Sequence, residues 1–318
     1  MLWDCVNEIS GKRNKKAEID KIKIESGEEI SNKNDIAQKF LEHLTSIGEK
    51  LAEKIPRTAP IKQVNKLINS IYLDDTDENE VRETILSLKN GKAPGSDNIK
   101  AETLKKIRYY ICKPLKYIIN ECFRTGVFPD ILKLATITPI YKKGSKLDIE
   151  NYRPISLISS IAKVVEKIIK SRLLKFFNRY NVLHKNQFGF KEGISTQDAI
   201  ATLSKKLYRL VNDKIPAICI FIDLTKAFDT ISHDKLLEIL ELSGIRGTTL
   251  DLMSSYLNNR KQCVKIDNVT SHYKDVCYGI PQGTVLGPIL FNIYINDLFS
   301  MDSGGTVFRI RGRYCHNL

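Results

Sequence analysis

Residues Ile220-Phe-Ile-Asp-Leu-Thr-Lys-Ala-Phe-Asp229 decide how the rest of the chain is read. The apolar run from Ala217 to Ile222 has the composition of a buried strand, and it ends in an acid at Asp223. A second acid follows at Asp229, and Ser232 offers a helix start. A carboxylate at the end of a buried strand stands at a cleft edge, where hard oxygen ligands suit a divalent ion such as Mg2+. Downstream, Gly279-Ile-Pro-Gln-Gly-Thr-Val-Leu-Gly-Pro288 is a glycine- and proline-rich loop that opens a helix. Glycine there admits close backbone approach, and a helix N-terminus favours phosphate. The plain alternatives are a solvated acid at a strand end and a structural turn.

Outward from these stretches, composition bounds the answer. The chain has 318 residues, of which 42% are apolar, enough for about two domains with real cores. Its formal charge is +13. Residues 1–54 are balanced, with 10 Lys/Arg against 11 Asp/Glu, so the surplus lies beyond them. It concentrates between Ile131 and Tyr180, which suggests a track for a polyanion. The seven cysteines show no C-x-x-C spacing and read as reduced intracellular thiols. The start, Met1-Leu-Trp-Asp-Cys, meets charge too early for a secretory signal. No apolar run approaches the roughly 18 residues of a membrane helix, so a soluble, intracellular protein is expected.

Along the chain, Ala37, Phe40, Leu41, Leu44 and Ile47 are spaced for one amphipathic helix. Ile55-Pro-Arg-Thr-Ala-Pro60 reads as a linker. Asp77 with Glu80 offers a capping pair for a helix carrying Val81, Ile85 and Leu88, with Asn90-Gly91 as its stop. Lys92 to Asp97 is a turn-rich loop before a basic helix from about Ile99. Ala135 to Tyr141 predicts a strand, Lys142 to Lys146 a basic turn, and Asn151 to Ser156 the returning segment. Ile161, Val164, Val165, Ile168, Ile169, Leu173 and Phe177 then form a helical stripe.

Seven segments in order carry a resemblance. They are Asn90-Gly-Lys-Ala-Pro-Gly-Ser-Asp97, Tyr152-Arg-Pro-Ile-Ser156, Gln187-Phe-Gly-Phe-Lys-Glu-Gly-Ile-Ser-Thr196, Phe221 to Asp229, Tyr256-Leu-Asn-Asn-Arg-Lys-Gln262, Gly279-Ile-Pro-Gln-Gly283 and Tyr294-Ile-Asn-Asp-Leu298. Together, over 89–298, they resemble the reverse transcriptase of a non-LTR retrotransposon, the LINE or jockey-like type. The resemblance implies an α/β (α+β) fold: right-hand polymerase fingers and part of a palm, with an incomplete antiparallel palm sheet and no thumb. It divides the chain into a connector at 1–72, fingers and first palm segment at 73–215, palm at 216–298, and a tail at 299–318.

The implied chemistry is template-directed addition of dNTPs to a DNA primer on an RNA template, in the nucleus or cytoplasm. Two Mg2+ ions roughly 4 Å apart would activate the primer 3′-oxygen and clamp the triphosphate, with Asp223 as metal ligand and catalytic residue. Lys142, Lys143 and Arg153 would meet the triphosphate from a fingers hairpin. Phe228 would stand beneath the incoming sugar and exclude a 2′-hydroxyl, with core packing as its alternative. Asp229, Gln282 and Gly283 would complete the dNTP contacts. Phe188, Phe190, Lys191 and Arg260 would face the template or primer, with core packing as the alternative for the two aromatics. His233 and Asp297 read as helix or turn residues rather than catalytic ones. A noncatalytic RNA- or DNA-binding remnant, a ribonucleotide polymerase and a product that never folds are the other readings.

The family next requires Tyr-Ala-Asp-Asp, and here the chain reads Thr306-Val-Phe-Arg-Ile-Arg-Gly-Arg-Tyr-Cys-His-Asn-Leu318. Arg309, Arg311 and Arg313 occupy the place of the expected carboxylates, and cations repel Mg2+. Among the synonymous codons available, the string CGT-ATA-CGC-GGA-CGA-TAC-TGT-CAT-AAT can encode Arg309 through Asn317. Read one nucleotide later, the same string gives Val-Tyr-Ala-Asp-Asp-Thr-Val-Ile-Ile. A frame error near Val307 is therefore expected, and with it a chain that lacks polymerase activity as written.

Overall fold

A computed structural model describes residues 19–24, 27–53, 66–216, 218–219, 224 and 226–299. Asp223, most of the strand expected at 217–222, the linker at 55–60 and the tail 300–318 lie outside the described residues.

Helices form where a cap meets an apolar stripe. After a short hairpin of β1 (Ile22–Lys23) and β2 (Glu29–Ile30), α1 (Lys33–Ala52) starts at Asn32, whose side chain accepts from the Asn34 and Asp35 amides. It buries Ala37, Phe40, Leu41 and Ile47, as the spacing predicts, and Ile36 besides, while Leu44 is half-buried. Helix α2 (Glu78–Leu86) is capped by Asp77, which accepts from the Glu80 amide at 2.8 Å. The expected reciprocal bond from Glu80 is replaced, because that carboxylate pairs with Arg172 and the Thr76 hydroxyl. The helix also ends at Leu86, four residues short of Asn90, with Ser87 as its C-cap.

Helix α3 (Ala101–Thr125) ends at Gly126 in the left-handed conformation. Strands β3 (Leu134–Tyr141) and β4 (Tyr152–Ile158) make the expected antiparallel hairpin, in register from Ala135 opposite Ile158 to Tyr141 opposite Tyr152. Helix α4 (Ser160–Arg179) follows from the Ser159 cap and buries Val164, Val165, Ile168, Ile169, Leu173 and Phe177. Helix α5 (Thr196–Asn212) has a full capping box of Ser195 and Asp198. Helices α6 (His233–Leu242) and α7 (Thr248–Leu257) lead to β5 (Lys261–Ile266), β6 (Val269–Thr270) and β7 (Lys274–Asp275), and α8 (Gly287–Tyr294) with a 3-10 turn at Asn296–Phe299 closes the described chain.

The fold is mixed α/β with a five-stranded sheet ordered β4-β3-β5-β6, β7 also pairing with β5. The sheet is not antiparallel throughout, as the sequence reading expected. Strand β3 runs parallel to β5, Leu134 opposite Lys261 through Ile137 opposite Val264. A parallel pair needs a long crossover, and the chain between these strands supplies α4 to α7. One contiguous core joins α1, α4, α7, α8 and the sheet. Among the described residues no helix is long and apolar enough to cross a membrane.

Candidate functional site

The loop from Gly279 to Gly287 meets the sheet at β4. The Ser156 amide donates to the Gln282 carbonyl at 2.8 Å, splicing the loop onto the strand. Gly283 sits beside this contact with φ +120°, and a Cβ there would stand 2.7 Å from the Ser156 carbonyl oxygen. The position thus requires glycine twice over, for its backbone angle and for its close approach. Thr284 tightens the turn by donating to the Pro281 carbonyl and accepting from the Gly287 amide, after which Pro288 enters α8 in its first turn.

The other wall carries Asp229. The Gln282 amide group donates to both of its oxygens, at 3.2 and 3.3 Å. Burial raises the Asp229 pKa to about 6, against the opposing pull of Gln282 and Lys226. His233, buried at the start of α6, donates from Nε2 to the Gly279 carbonyl at 2.8 Å. Its pKa is lowered by burial, which keeps it neutral and structural, in line with its expected helix-start role. Gly48 of α1 brings that helix against Tyr278 and the Asp229 carbonyl, and Leu44 and Thr45 line the same cleft. The cavity is only about 40 Å3, room for a water and not for a nucleotide.

Several expected site residues therefore converge and others do not. Asp229, Gln282 and Gly283 come together, with β4 alongside through Pro154 and Ser156. Arg153 precedes Pro154 on that strand and is half-buried. Lys142 and Lys143 are exposed at the hairpin turn, about five strand residues or ~16 Å from the Ile137–Ser156 pair. Phe228 stacks on Phe291 with centroids 4.6 Å apart and meets Phe190 edge-on at 5.9 Å. Its ring and that of Phe190 thus belong to an aromatic cluster at the core margin.

Lys191 is half-buried and donates to the His184 carbonyl, its pKa lowered by burial, and Phe188 is half-buried nearby. Arg260 departs from expectation. It is 1% exposed and lies over the Tyr256 ring, so it faces the interior and not a template.

Glu166 was missed by the sequence reading. It is buried in α4 and accepts from the loop's Val285 and Leu286 amides. Its signal was available: Ala162, Glu166, Ile169 and Leu173 share one helical face, so an acid stands where the period assigns core.

Among the described residues, no group of three or more His, Cys, Asp or Glu is placed to hold a metal. Asp229 is the acid of the described cleft lining, and its oxygens are occupied by Gln282 while its pKa is raised. The carboxylate of the described cleft lining is thus engaged by Gln282, and Asp223, the expected metal ligand, lies outside the described residues.

The family profile described as reverse transcriptase (RNA-dependent DNA polymerase) matches residues 140–306. The chain is 31% identical over 306 residues to the probable RNA-directed DNA polymerase from transposon BS of Drosophila melanogaster, covering 93% of this chain and 33% of that protein. It is 33% identical over 220 residues to the corresponding protein from transposon X-element of the same species, covering 69% and 24%. The polymerase from mobile element jockey of Drosophila funebris is 33% identical over 227 residues, with 69% and 24% covered. The chain thus spans a quarter to a third of the length of these curated relatives.

Proposed function

Because the chain belongs to the reverse transcriptase (RNA-dependent DNA polymerase) family, we propose that it is the fingers and part of the palm of a non-LTR retrotransposon polymerase. The observation that carries this reading is the seam of Ser156, Asp229, Gln282 and Gly283, which lies inside the family match and joins segments far apart in sequence. Family membership implies a nucleic-acid template, dNTPs and a divalent metal. Asp223 is the residue proposed to ligate that metal, while Asp229 holds Gln282 in place.

The nucleotide would be met from the exposed flank of the seam, by Gly283, Gln282 and the half-buried Arg153, with Lys142 and Lys143 reaching in from the hairpin turn. Phe228, backed by Phe291 and Phe190, would set the floor beneath the sugar. Phe188 and Lys191 are proposed for the template side, and Arg260 is withdrawn from it because it is buried. The proposed divisions are a connector at 1–72, fingers and first palm segment at 73–215, and palm at 216–298.

The family match ends at residue 306, next to Val307. This supports a shifted reading frame for the arginine-rich stretch beyond it. As written, Arg309, Arg311 and Arg313 stand where the second acidic motif belongs, and no catalysis is expected. Primer extension on an RNA template with dNTPs and Mg2+ tests this. The chain as written should add no nucleotide. A version read onward in the shifted frame from Val307 should extend the primer and lose that ability with Asp223→Ala. Extension by the chain as written would overturn the shifted-frame reading.

A further inference from the structure

We propose that Glu166 is a positioning residue, holding the segment from Gln282 to Leu286 in register across the cleft through a buried network with Tyr256 and Arg260. Glu166 lies in the first half of α4 and is 1% exposed. Its Oε2 accepts from the Val285 amide at 2.5 Å and the Leu286 amide at 3.2 Å. Both amides belong to the residues just before α8, where N–H groups have no helical partner of their own. A carboxylate is favoured there by the helix dipole as well as by the two bonds. Its Oε1 accepts from the buried Tyr256 hydroxyl at 3.2 Å.

Burial pushes the Glu166 pKa up, and Arg260 together with the two loop amides opposes it. Arg260 is itself 1% exposed. It donates from Nη1 to the Tyr256 carbonyl at 3.1 Å, and its guanidinium lies 4.9 Å from that ring's centroid. Among the described residues its Nε and Nη2 have no hydrogen-bond partner. The field of this buried cation favours the ionised form of the Glu166 carboxyl. The network joins α4, the end of α7 and the 279–287 loop, so the loop is fixed at Gln282 by Ser156 and at Val285 and Leu286 by Glu166. Gly283 lies between the two anchors with φ +120°.

This rests on the proposed polymerase reading only for its consequence, the presentation of Gln282 to a nucleotide. The test is amide hydrogen exchange at residue resolution on the whole chain, comparing wild type with Glu166→Gln, Glu166→Ala and Tyr256→Phe. Glu166→Ala should speed exchange at Val285 and Leu286 by at least about tenfold while the amides of β3 and β4 keep their rates. Glu166→Gln, which retains one acceptor, should fall between. Tyr256→Phe removes a single hydroxyl and should give a smaller acceleration at the same two amides, which keeps the test alive if Glu166→Ala does not fold. Unchanged rates at Val285 and Leu286, or equal acceleration throughout the chain, would overturn the proposal. Binding of a fluorescent dNTP to wild type and Gln282→Ala, measured in parallel with primer–template, reports on the nucleotide reading separately. Equal affinities there would sink that reading and leave the exchange result standing.

Discussion

At the scale of single residues, Asp229 shows how a loop acceptor becomes a pH-sensitive group. Its pKa of about 6 lies above the ordinary 3.8 because burial disfavours the ionised form. The native state therefore holds a proton that the unfolded chain has released. The stabilising contribution of this group is complete below the ordinary value and is lost as pH rises through about 6. In Asp229→Asn that titration is gone. Thermal midpoints of the two proteins should agree near pH 4 and diverge across the window to about pH 7, with the variant the more stable there. A constant difference across the window would refute the assignment. Gln282 and Gly283 were legible as a loop that approaches a ligand or a neighbouring backbone closely. Glu166 was legible as an acid on the core face of a helix but its partners were not, and the burial of Arg260 was hidden, because a lone arginine in a sequence reads as solvated until a tertiary neighbour is known.

Among the elements, caps and stripes translate directly into structure. Asn32, Asp77, Ser159, Ser195 and Ser232 each accept from a backbone amide at the start of a helix, and the apolar spacing of α1 and α4 faces the core. The β3–β4 hairpin was equally readable, since its strands adjoin in sequence. The parallel pairing of β3 with β5 was not, because nothing local distinguishes an edge strand from one with a distant partner. The seating of α1 was hidden for the same reason. Spacing identifies its apolar face, but only the fold shows that Gly48 lies against Tyr278 and the Asp229 carbonyl.

Gly48→Ala tests that seating. Alanine should gain about 1 kcal/mol of helix propensity. The added Cβ would fall 2.3 Å from the Tyr278 Cβ and 2.9 Å from the Asp229 carbonyl oxygen, and overpacking of that kind costs about 1–3 kcal/mol. The clash wins, so urea unfolding should show a net loss of about 1 kcal/mol. A stabilised variant would mean that α1 does not pack on the cleft.

Over the whole molecule, the charge surplus and the hairpin belong together. The chain carries +13, and Lys142 and Lys143 project at the β3–β4 turn, where a polyanion can be met without unpacking the core. Replacing both by alanine should weaken binding of an RNA–DNA hybrid irrespective of its sequence. It should also reduce the slope of log affinity against log salt by about two, measured by fluorescence anisotropy. An unchanged slope would move the polyanion track elsewhere.

The family match, the Asp229–Gln282 seam and the glycine-dependent loop all describe a polymerase domain, while the stretch after Val307 does not read as one. The nucleotide sequence from the codon of Ile295 through that of Leu318 resolves the conflict most directly. The account predicts Tyr-Ala-Asp-Asp followed by an apolar strand, one nucleotide out of frame from Arg309. Codons that cannot spell that motif in the shifted frame would contradict it, and the basic chain would then stand as a nucleic-acid-binding remnant of the polymerase.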